Sequence, residues 1–137
     1  MKILVVEDTI CLRHIMLHML RELGHTDLEE AADGTHALHL LAKHQFDLVI
    51  TDYNMPKING LHLLKHIRAN ELTADLPVLI VTSDADKSHL TQAIQAKVSG
   101  FLAKPFSLTI LKKQMDKIIQ KRNQSAANKT TRFIALD

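Results

Sequence analysis

Short runs of apolar residues alternate along the chain with segments whose apolar residues recur every three or four positions. The runs predict β-strands, and the segments between them predict amphipathic helices. Strands that are apolar on both faces and joined by crossover helices form parallel sheets with both faces covered. The pattern therefore predicts an α/β fold with one parallel sheet of five strands: Lys2 to Val6, Asp27 to Ala31, Asp47 to Thr51, Val78 to Thr82, and Gly100 to Ala103.

Each predicted helix carries an apolar stripe that we expect to face the sheet. The stripe of the first helix, which ends before Gly24, comprises Leu12, Ile15, Met16, Met19, Leu20 and Leu23. The stripes of the next three helices comprise Ala37, Leu38 and Leu41, then Leu61, Leu64 and Ile67, then Leu90, Ala93 and Ile94. The fifth helix follows Ser107, a typical N-cap residue, with a stripe of Leu108, Leu111, Met115, Ile118 and Ile119.

The polar segment after the fifth helix, residues 123–132, has no apolar periodicity, which is typical of a frayed or disordered tail. We therefore expect one domain over residues 1–122 and a polar tail or linker over residues 123–137. A total length of 137 residues, of which 46% are hydrophobic, is enough for a single domain with a buried core.

Composition narrows the function classes further. The formal net charge of +2 gives no whole-chain argument for binding nucleic acid or an anionic membrane. A single cysteine, Cys11, excludes an internal disulfide and favours a cytoplasmic protein, and we expect its thiol to be buried on the first helix. No apolar stretch in the sequence is long enough to insert across a bilayer.

Polar residues follow four of the predicted strands at the point where each strand ends. They are Glu7 and Asp8 after the first strand, Asp52 after the third, Thr82 at the end of the fourth, and Lys104 after the fifth. Taken singly, each has an ordinary explanation, such as a helix cap, a turn or a solvated charge. Because the carboxyl ends of parallel strands lie at one edge of the sheet, we expect these side chains to form one site.

The residue types at these strand ends favour phosphoryl chemistry. Three carboxylates in one site repel one another and favour a bound cation. Oxygen ligands without cysteine or histidine fit a hard ion such as Mg²⁺, which leaves room for phosphate oxygens. A lysine and a hydroxyl then supply a positive charge and a hydrogen bond to a transferred phosphoryl group. Asp52, central among the strand ends, is the candidate nucleophile because a carboxylate can form an acyl phosphate.

Four motifs give the chain a resemblance to a known family. They are LVVED, DYNMPKINGLHLLKHIR, PVLIVTS and GFLAKPF. From Lys2 to about Lys121 the chain resembles the receiver domain of two-component response regulators, and the stand-alone chemotaxis type is the most similar. The resemblance implies a flavodoxin-like (βα)5 fold with strand order 2-1-3-4-5. It also implies a phosphorylation-activated signalling switch with at most slow self-dephosphorylation, rather than an enzyme.

The resemblance also implies roles for the strand-end residues. Asp52 would accept a phosphoryl group from a sensor histidine kinase or a histidine phosphotransfer protein. Lys104 would pair with the phosphate, and Thr82 would move to bond one of its oxygens. Mg²⁺ would be held by Glu7, Asp8, Asp52 and the backbone carbonyl of Asn54.

The same resemblance implies how the switch would signal and decay. Phe101 would turn inward after phosphorylation, and the face formed by helix 4, strand 5 and helix 5 would change shape for an unidentified output protein. Asn54 and Asp84 would flank the route of the attacking water and set the lifetime of the acyl phosphate.

Two backbone features follow from the comparison with the family. The bond between Lys104 and Pro105 is expected to be cis, as in relatives. Lys97 stands at the end of helix 4 where relatives often have glycine. A lysine in a left-handed cap there would cost on the order of 1 kcal/mol.

Two other functions fit parts of the sequence. A haloacid-dehalogenase-like phosphatase also uses an aspartate nucleophile, Mg²⁺, a hydroxyl and a lysine. Its nucleophile belongs on the first strand in the form Asp-x-Asp, whereas the first strand here is followed by Glu7, Asp8 and Thr9. The receiver of a longer DNA-binding or nucleotide-cyclase regulator is the second alternative, because residues 123–137 have the polarity of a linker.

Two further patterns have ordinary explanations. The pairs His14/His18 and His62/His66 have the i, i+4 spacing of a transition-metal chelate, but no third ligand is implied, and solvated helix faces account for them. The fifth helix is basic, but no base-reading aromatic residue or helix-turn-helix accompanies its charges, so direct binding of nucleic acid is not expected. These charges belong to Lys112, Lys113, Lys117, Lys121 and Arg122.

Overall fold

Five parallel strands and five helices alternate along the part of the chain that the structure describes. The structure is a computed structural model that describes residues 1–84 and 86–136, with side chains as far as residue 124. The strands are β1 (Ile3–Val6), β2 (Leu28–Ala31), β3 (Leu48–Asp52), β4 (Val78–Thr82) and β5 (Gly100–Ala103). The helices are α1 (Ile10–Glu22), α2 (Gly34–Lys43), α3 (Gly60–Ala69), α4 (Lys87–Gln95) and α5 (Leu108–Leu136).

The strand order is β2-β1-β3-β4-β5, and every neighbouring pair is parallel. This confirms the predicted doubly wound, flavodoxin-like sheet. The register pairs Val6 with Thr51, Asp52 with Val81, and Thr82 with Ala103, so the last residues of the central strands lie side by side. Polar residues that follow these strands are thereby brought to one edge.

Helices cover both faces of the sheet because successive strand residues point to opposite sides. In β1, Leu4 and Val6 belong to the core cluster that lies under α2, α3 and α4, whereas Ile3 and Val5 belong to the cluster under α1 and α5. All four side chains are essentially inaccessible to solvent. A strand apolar at every position is therefore explained by burial on two faces.

The predicted stripes are confirmed for α3 and for the centre of α5, but they are wrong in part for two helices. On α1, Leu12 and Ile15 are 41% and 56% exposed, and Leu17 is buried in their place. On α4 only Ala93 is buried, and Leu90 and Ile94 are 38% and 61% exposed. The buried stripe of each helix is narrower than its apolar surface, so part of each apolar face is left in contact with solvent.

Two other expectations also differ from the structure. Cys11 is exposed rather than buried, because it lies on the solvent side of α1. The helix α5 continues to Leu136, whereas residues 123–132 were expected to be irregular. No glycine or proline follows Pro105, so no strong helix breaker interrupts this helix. The division of the chain at residue 122 stays a prediction. Within the described residues, no helix is both long and apolar enough to cross a membrane.

Asp47 ties the start of β3 to two other parts of the fold. Its carboxylate accepts hydrogen bonds from the backbone N–H of Lys2 at 2.6 Å and from the Arg122 guanidinium at 2.7 Å. The Lys2 bond, followed by the Arg122 contact, lowers the pKa of the Asp47 carboxyl below its ordinary value. The ionised form therefore stabilises the fold at neutral pH, and this contribution is lost as the pH falls through the lowered folded-state pKa.

We expect Asp47→Asn to lower the free energy of unfolding at pH 7 by about 1 kcal/mol, a value discounted because the side chain is one-third exposed. The difference in free energy of unfolding between the variant and the wild type should shrink as the pH is lowered below the pKa of an ordinary aspartate. Urea unfolding at pH 7 and pH 3 measures both effects. Asp27→Asn, at an exposed site, is the matched control. A deficit that is the same at both pH values would contradict the assigned role.

Arg68 on α3 is bonded to the two segments that precede β4 and β5, at the edge of the sheet remote from the strand-end carboxylates. Its guanidinium donates hydrogen bonds to the backbone carbonyls of Ala74, Leu76 and Lys97, and to the hydroxyl of Ser99. Lys97, the residue after the C-cap of α4, has a φ of 64°, which confirms the left-handed conformation expected there. Because its carbonyl accepts from Arg68, this strained turn is also held by a charged donor.

Candidate functional site

The carboxyl ends of β1, β3, β4 and β5 bring together every strand-end residue that the sequence singled out. Glu7 and Asp8 follow β1, Asp52 is the last residue of β3, and Thr82 is the last residue of β4. Lys104 directly follows β5, and its backbone N–H bonds to the carbonyl of Thr82. The predicted juxtaposition at one edge of the sheet is confirmed.

Three acidic side chains form the centre of this site. Carboxylate oxygens of Glu7, Asp8 and Asp52 all lie within 4.8 Å of one another. Glu7 is only 5% exposed, whereas Asp8 faces solvent. Burial raises the pKa of the Glu7 carboxyl above its ordinary value, and the negative charge of Asp52 raises it further. The cluster is therefore electrostatically unfavourable unless a positive charge joins it.

A hard divalent cation fits this donor set. The three side chains offer only oxygen atoms, the donors that Mg²⁺ prefers, and the exposure of Asp8 leaves one side open to water. The explanation of Asp8 or Thr9 as a helix cap, with Glu7 solvated beside it, is wrong. Thr9 occupies the N-cap position of α1 without a side-chain capping bond, and Glu7 is buried.

Lys104 supplies the fixed positive charge of the site. Its Nζ lies 3.4 Å from Oδ1 of Asp52 and 3.6 Å from Oε2 of Glu7, with the side chain 21% exposed. The Lys104–Pro105 peptide bond is cis, as expected. An ammonium group between two carboxylates offsets part of their repulsion and is within reach of any group attached to Asp52.

The backbone around Asp52 depends on a close approach of α3. The N–H of Gly60, the first residue of α3, donates to the carbonyl of Tyr53 at 2.8 Å. A Cβ atom at Gly60 would collide with the backbone carbonyl of Asp52. Only glycine therefore lets α3 begin directly against the residue that carries the candidate nucleophile.

Thr82 and Phe101, the two residues expected to act as the switch, differ in burial and in contacts. Thr82 is fully buried, and its hydroxyl oxygen accepts a hydrogen bond from the backbone N–H of Asp84 at 3.0 Å. Phe101 is half-buried and packs against the core cluster under α4. Asn54 and Asp84 are both exposed to solvent. The hydroxyl of Thr82 is thus already tied to the segment that leads into α4.

An apolar recess opens beside the carboxylates. It has a volume of about 230 Å³ and lies between α1 and the segment that joins β5 to α5. Leu12 and Ile15, which were expected to be buried but are exposed, line it together with Pro105 and Phe106. Asp52 also lines it. The exposed apolar face of α1 is therefore continuous with the acidic site.

Two contacts near the site were not predicted from the sequence. The ring of Tyr53, next to Asp52, stacks on His89 of α4 with 4.4 Å between ring centroids. Arg13 on α1 donates to the backbone carbonyl of Glu7 at 2.8 Å and to a carboxylate oxygen of Glu30 at 2.7 Å. Neither contact has a local sequence signal, because each joins residues that only the tertiary fold brings together.

The histidine pairs do not form metal clusters in the described part of the chain. His14 and His18 are mainly exposed and lie near single glutamates, and His62 and His66 are exposed. Asp84, Asp86 and His89 do lie close together, but a carboxylate oxygen of Asp86 already caps α4 by accepting from the His89 N–H. These groups are accounted for by ordinary surface and capping roles.

Comparison with known proteins gives the class to which this fold and site belong. The sequence profile of the response regulator receiver domain matches residues 3–121. The chain therefore belongs to the response regulator receiver family, whose members are phosphoacceptor switches rather than classical enzymes. This match favours the receiver over the dehalogenase-like phosphatase.

Chemotaxis regulators are among the similar proteins. The chain is 46% identical over 121 residues to the chemotaxis protein CheY-3 of Vibrio cholerae, a match that covers 88% of this chain and 93% of CheY-3. The structure of CheY4 from Vibrio cholerae is similar with a TM-score of 0.79 and 32% identity, covering 85% of this chain and 97% of that one.

A receiver domain from a sensor histidine kinase is also similar in structure. The receiver domain of PA1611 from Pseudomonas aeruginosa has a TM-score of 0.76 and 29% identity, covering 85% of this chain and 96% of that one. That structure has a magnesium ion coordinated in its active-site cleft.

Proposed function

We propose that this protein is a two-component signalling switch in which Asp52 accepts a phosphoryl group from a phosphohistidine. The donor would be a sensor histidine kinase or a histidine phosphotransfer protein. The observation that carries this proposal is the cluster of Glu7, Asp8 and Asp52 within reach of Lys104 at one edge of the sheet. Mg²⁺ would be held by Glu7, Asp8, Asp52 and the backbone carbonyl of Asn54.

In the proposed transfer, a carboxylate oxygen of Asp52 attacks phosphorus while the bond between phosphorus and the donor imidazole nitrogen breaks. The electron pair of that bond stays on the imidazole nitrogen. Bound Mg²⁺ would supply positive charge to the phosphoryl oxygens. The Lys104 ammonium, 3.4 Å from Asp52, is placed to pair with the same oxygens and stabilise the developing charge.

Phosphorylation would then bias the segment that carries Thr82 and Asp84. A phosphate oxygen on Asp52 would accept a strong hydrogen bond from the Thr82 hydroxyl, and movement of Thr82 toward it would draw the hydroxyl oxygen away from the Asp84 N–H that now donates to it. Because Asp84 leads into α4, such a change would be passed to the face formed by α4, β5 and α5, together with an inward turn of Phe101. An unidentified output protein would bind that face.

The proposal is tested by incubating the protein with Mg²⁺ and acetyl phosphate and measuring the intact mass. We expect the gain of one phosphoryl group, its loss when EDTA is present, and its location on the peptide that contains Asp52. Folded protein that gains no mass under these conditions, or gains it equally in EDTA, would contradict the proposed function.

The apolar recess beside Asp52 supports a protein as the phosphoryl donor. A phosphohistidine on a protein can reach Asp52 only if the donor surface covers the mouth of the site. Leu12 and Ile15, which are 41% and 56% exposed on α1, line the recess and form an apolar surface beside Asp52. Burial of exposed apolar side chains is a main source of binding free energy, and a few residues at the centre of an interface carry most of it.

We expect Ile15→Asp to reduce the rate of phosphoryl transfer from a phosphorylated histidine phosphotransfer domain by about tenfold or more. Phosphorylation by acetyl phosphate, which needs no docking surface, should be unchanged. Ile94→Asp, at an equally exposed isoleucine on α4, is the matched control and should transfer at the wild-type rate. Equal rates for the two variants would contradict donor docking on α1.

Asn54 and Asp84 are proposed to tune the lifetime of the acyl phosphate. Both are exposed to solvent, and each lies two residues after a strand-end residue of the site, Asp52 or Thr82. We expect Asp84→Asn to lengthen the lifetime by about tenfold, because the variant lacks a carboxylate that could accept a proton from the water. Asn54→Ala should also lengthen it. Intact mass, followed over time after removal of the phosphodonor, measures the decay of the acyl phosphate. Unchanged lifetimes in both variants would contradict the role of Asn54 and Asp84 in setting that lifetime.

A further inference from the structure

Arg13 connects the acidic turn after β1 to the end of β2. Its side chain is 12% exposed and reaches from α1 to two acceptors, the backbone carbonyl of Glu7 and the carboxylate of Glu30. Glu30 lies on β2, paired in the sheet with Val5. One guanidinium thus joins α1, β2 and the turn that carries Glu7 and Asp8.

The Glu7 carbonyl, which accepts from Arg13, lies in the turn between two acidic residues of the site. It belongs to the peptide group between Glu7 and Asp8, and that group is planar. Fixing the carbonyl direction therefore also fixes the orientation of the Asp8 backbone. The Glu7 N–H is held separately by the carbonyl of Ala31, and the Thr9 N–H donates to the Glu7 carboxylate at 3.2 Å. Arg13 adds a third hydrogen bond to this turn, at the peptide group between Glu7 and Asp8.

The positive charge of Arg13, taken alone, would weaken cation binding at the acidic cluster. A positive guanidinium close to the acidic cluster disfavours a bound cation by Coulomb repulsion. Glu30 pairs with that guanidinium at 2.7 Å, which offsets its charge while leaving its geometry fixed. The Arg13 guanidinium therefore remains a rigid, forked donor, while its pairing with Glu30 reduces its repulsion of a cation bound at the acidic cluster.

We propose that Arg13 is a positioning residue for the cation site, oriented by Glu30, and that it increases Mg²⁺ affinity by fixing the turn that carries Glu7 and Asp8. This inference rests on the proposed function, because it assumes that these carboxylates bind Mg²⁺. Its effect passes through the backbone of Glu7 and requires no contact between Arg13 and the ion.

The test is a Mg²⁺ titration at constant ionic strength, followed by the fluorescence of Tyr53, the single tyrosine of the chain and the neighbour of Asp52. Arg13→Lys keeps the charge but lacks the fork that spans both acceptors, and Arg13→Met removes the charge at similar length. We expect both variants to raise the Kd for Mg²⁺ by about fivefold. Glu30→Ala should raise it as well, and Glu29→Ala, one residue away on β2, should leave it unchanged.

Each outcome separates the possible roles. Tighter Mg²⁺ binding by Arg13→Met would mean that repulsion outweighs positioning and would overturn the inference. An unchanged Kd with a lower melting temperature would reduce Arg13 to a structural residue and would also overturn it. Thermal unfolding without Mg²⁺ confirms that each variant is folded. Wild-type protein that binds no Mg²⁺ would overturn the proposed function itself, a result distinct from a failure of the Arg13 variants alone.

Discussion

Asp52→Asn is expected to abolish phosphoryl incorporation from both acetyl phosphate and a phosphohistidine donor. The side-chain amide is a much weaker nucleophile than a carboxylate, and its oxygen cannot form the acyl phosphate. Asp52 is the last residue of β3, and its carboxylate lies against Lys104 and the other two acidic side chains. Intact mass after incubation with Mg²⁺ and each donor measures the effect.

The fold should tolerate this substitution. Removal of one carboxylate relieves repulsion with Glu7, whose raised pKa is caused in part by Asp52. We therefore expect Asp52→Asn to melt at or above the wild-type temperature while it gains no mass. Asp27→Asn, with the same chemical change at an exposed site, should incorporate the phosphoryl group normally. Incorporation by Asp52→Asn at the wild-type rate would mean that another residue accepts the phosphoryl group.

Mg²⁺ is expected to raise the melting temperature of the wild-type protein. A ligand that binds only the folded state at ten times its Kd adds about 1.4 kcal/mol to the free energy of unfolding. For a domain of this size, that corresponds to a rise on the order of 5 °C. The effect has a physical origin in the site, because a divalent cation removes the mutual repulsion of the buried and exposed carboxylates.

Asp8→Asn should lose most of this rise, since it removes one of the three carboxylates. Differential scanning calorimetry with MgCl₂ and with NaCl at equal ionic strength isolates specific binding from screening. Asp27→Asn should show the full rise. An equal rise in Asp8→Asn would place the stabilising cation elsewhere.

Apolar sequence runs predicted the central strands β1, β3 and β4 most clearly, because these strands are buried on both faces, whereas the edge strands β2 and β5 are only partly buried. The site was predictable for a related reason. Polar residues that end such runs stand out, and the geometry of parallel strands collects them at one edge. Asp52 and Lys104 are 52 positions apart in the chain, yet their side chains form an ion pair.

The incorrect predictions of buried residues on α1 and α4 also have a physical cause. Apolar residues on α1 and α4 were assigned to the core because periodicity cannot distinguish a face that packs on the sheet from one that is left exposed. Ile15 and Ile94 are the clearest examples. The role of Arg13 could not be inferred either, because its two acceptors belong to other elements and one of them is a backbone carbonyl.

The hydrogen bonds of Arg68 suggest how motion would be distributed along α4. They hold the carbonyl of Lys97, at the C-terminal end of that helix, to α3 and to the segment before β4. The opposite end, near His89, contacts the backbone carbonyl of Asp84 and the ring of Tyr53, the neighbour of Asp52. We therefore expect the C-terminal end of α4, at Lys97, to stay nearly fixed while the N-terminal end of the helix moves. A partner bound near the first turn of α4 would then experience the largest displacement.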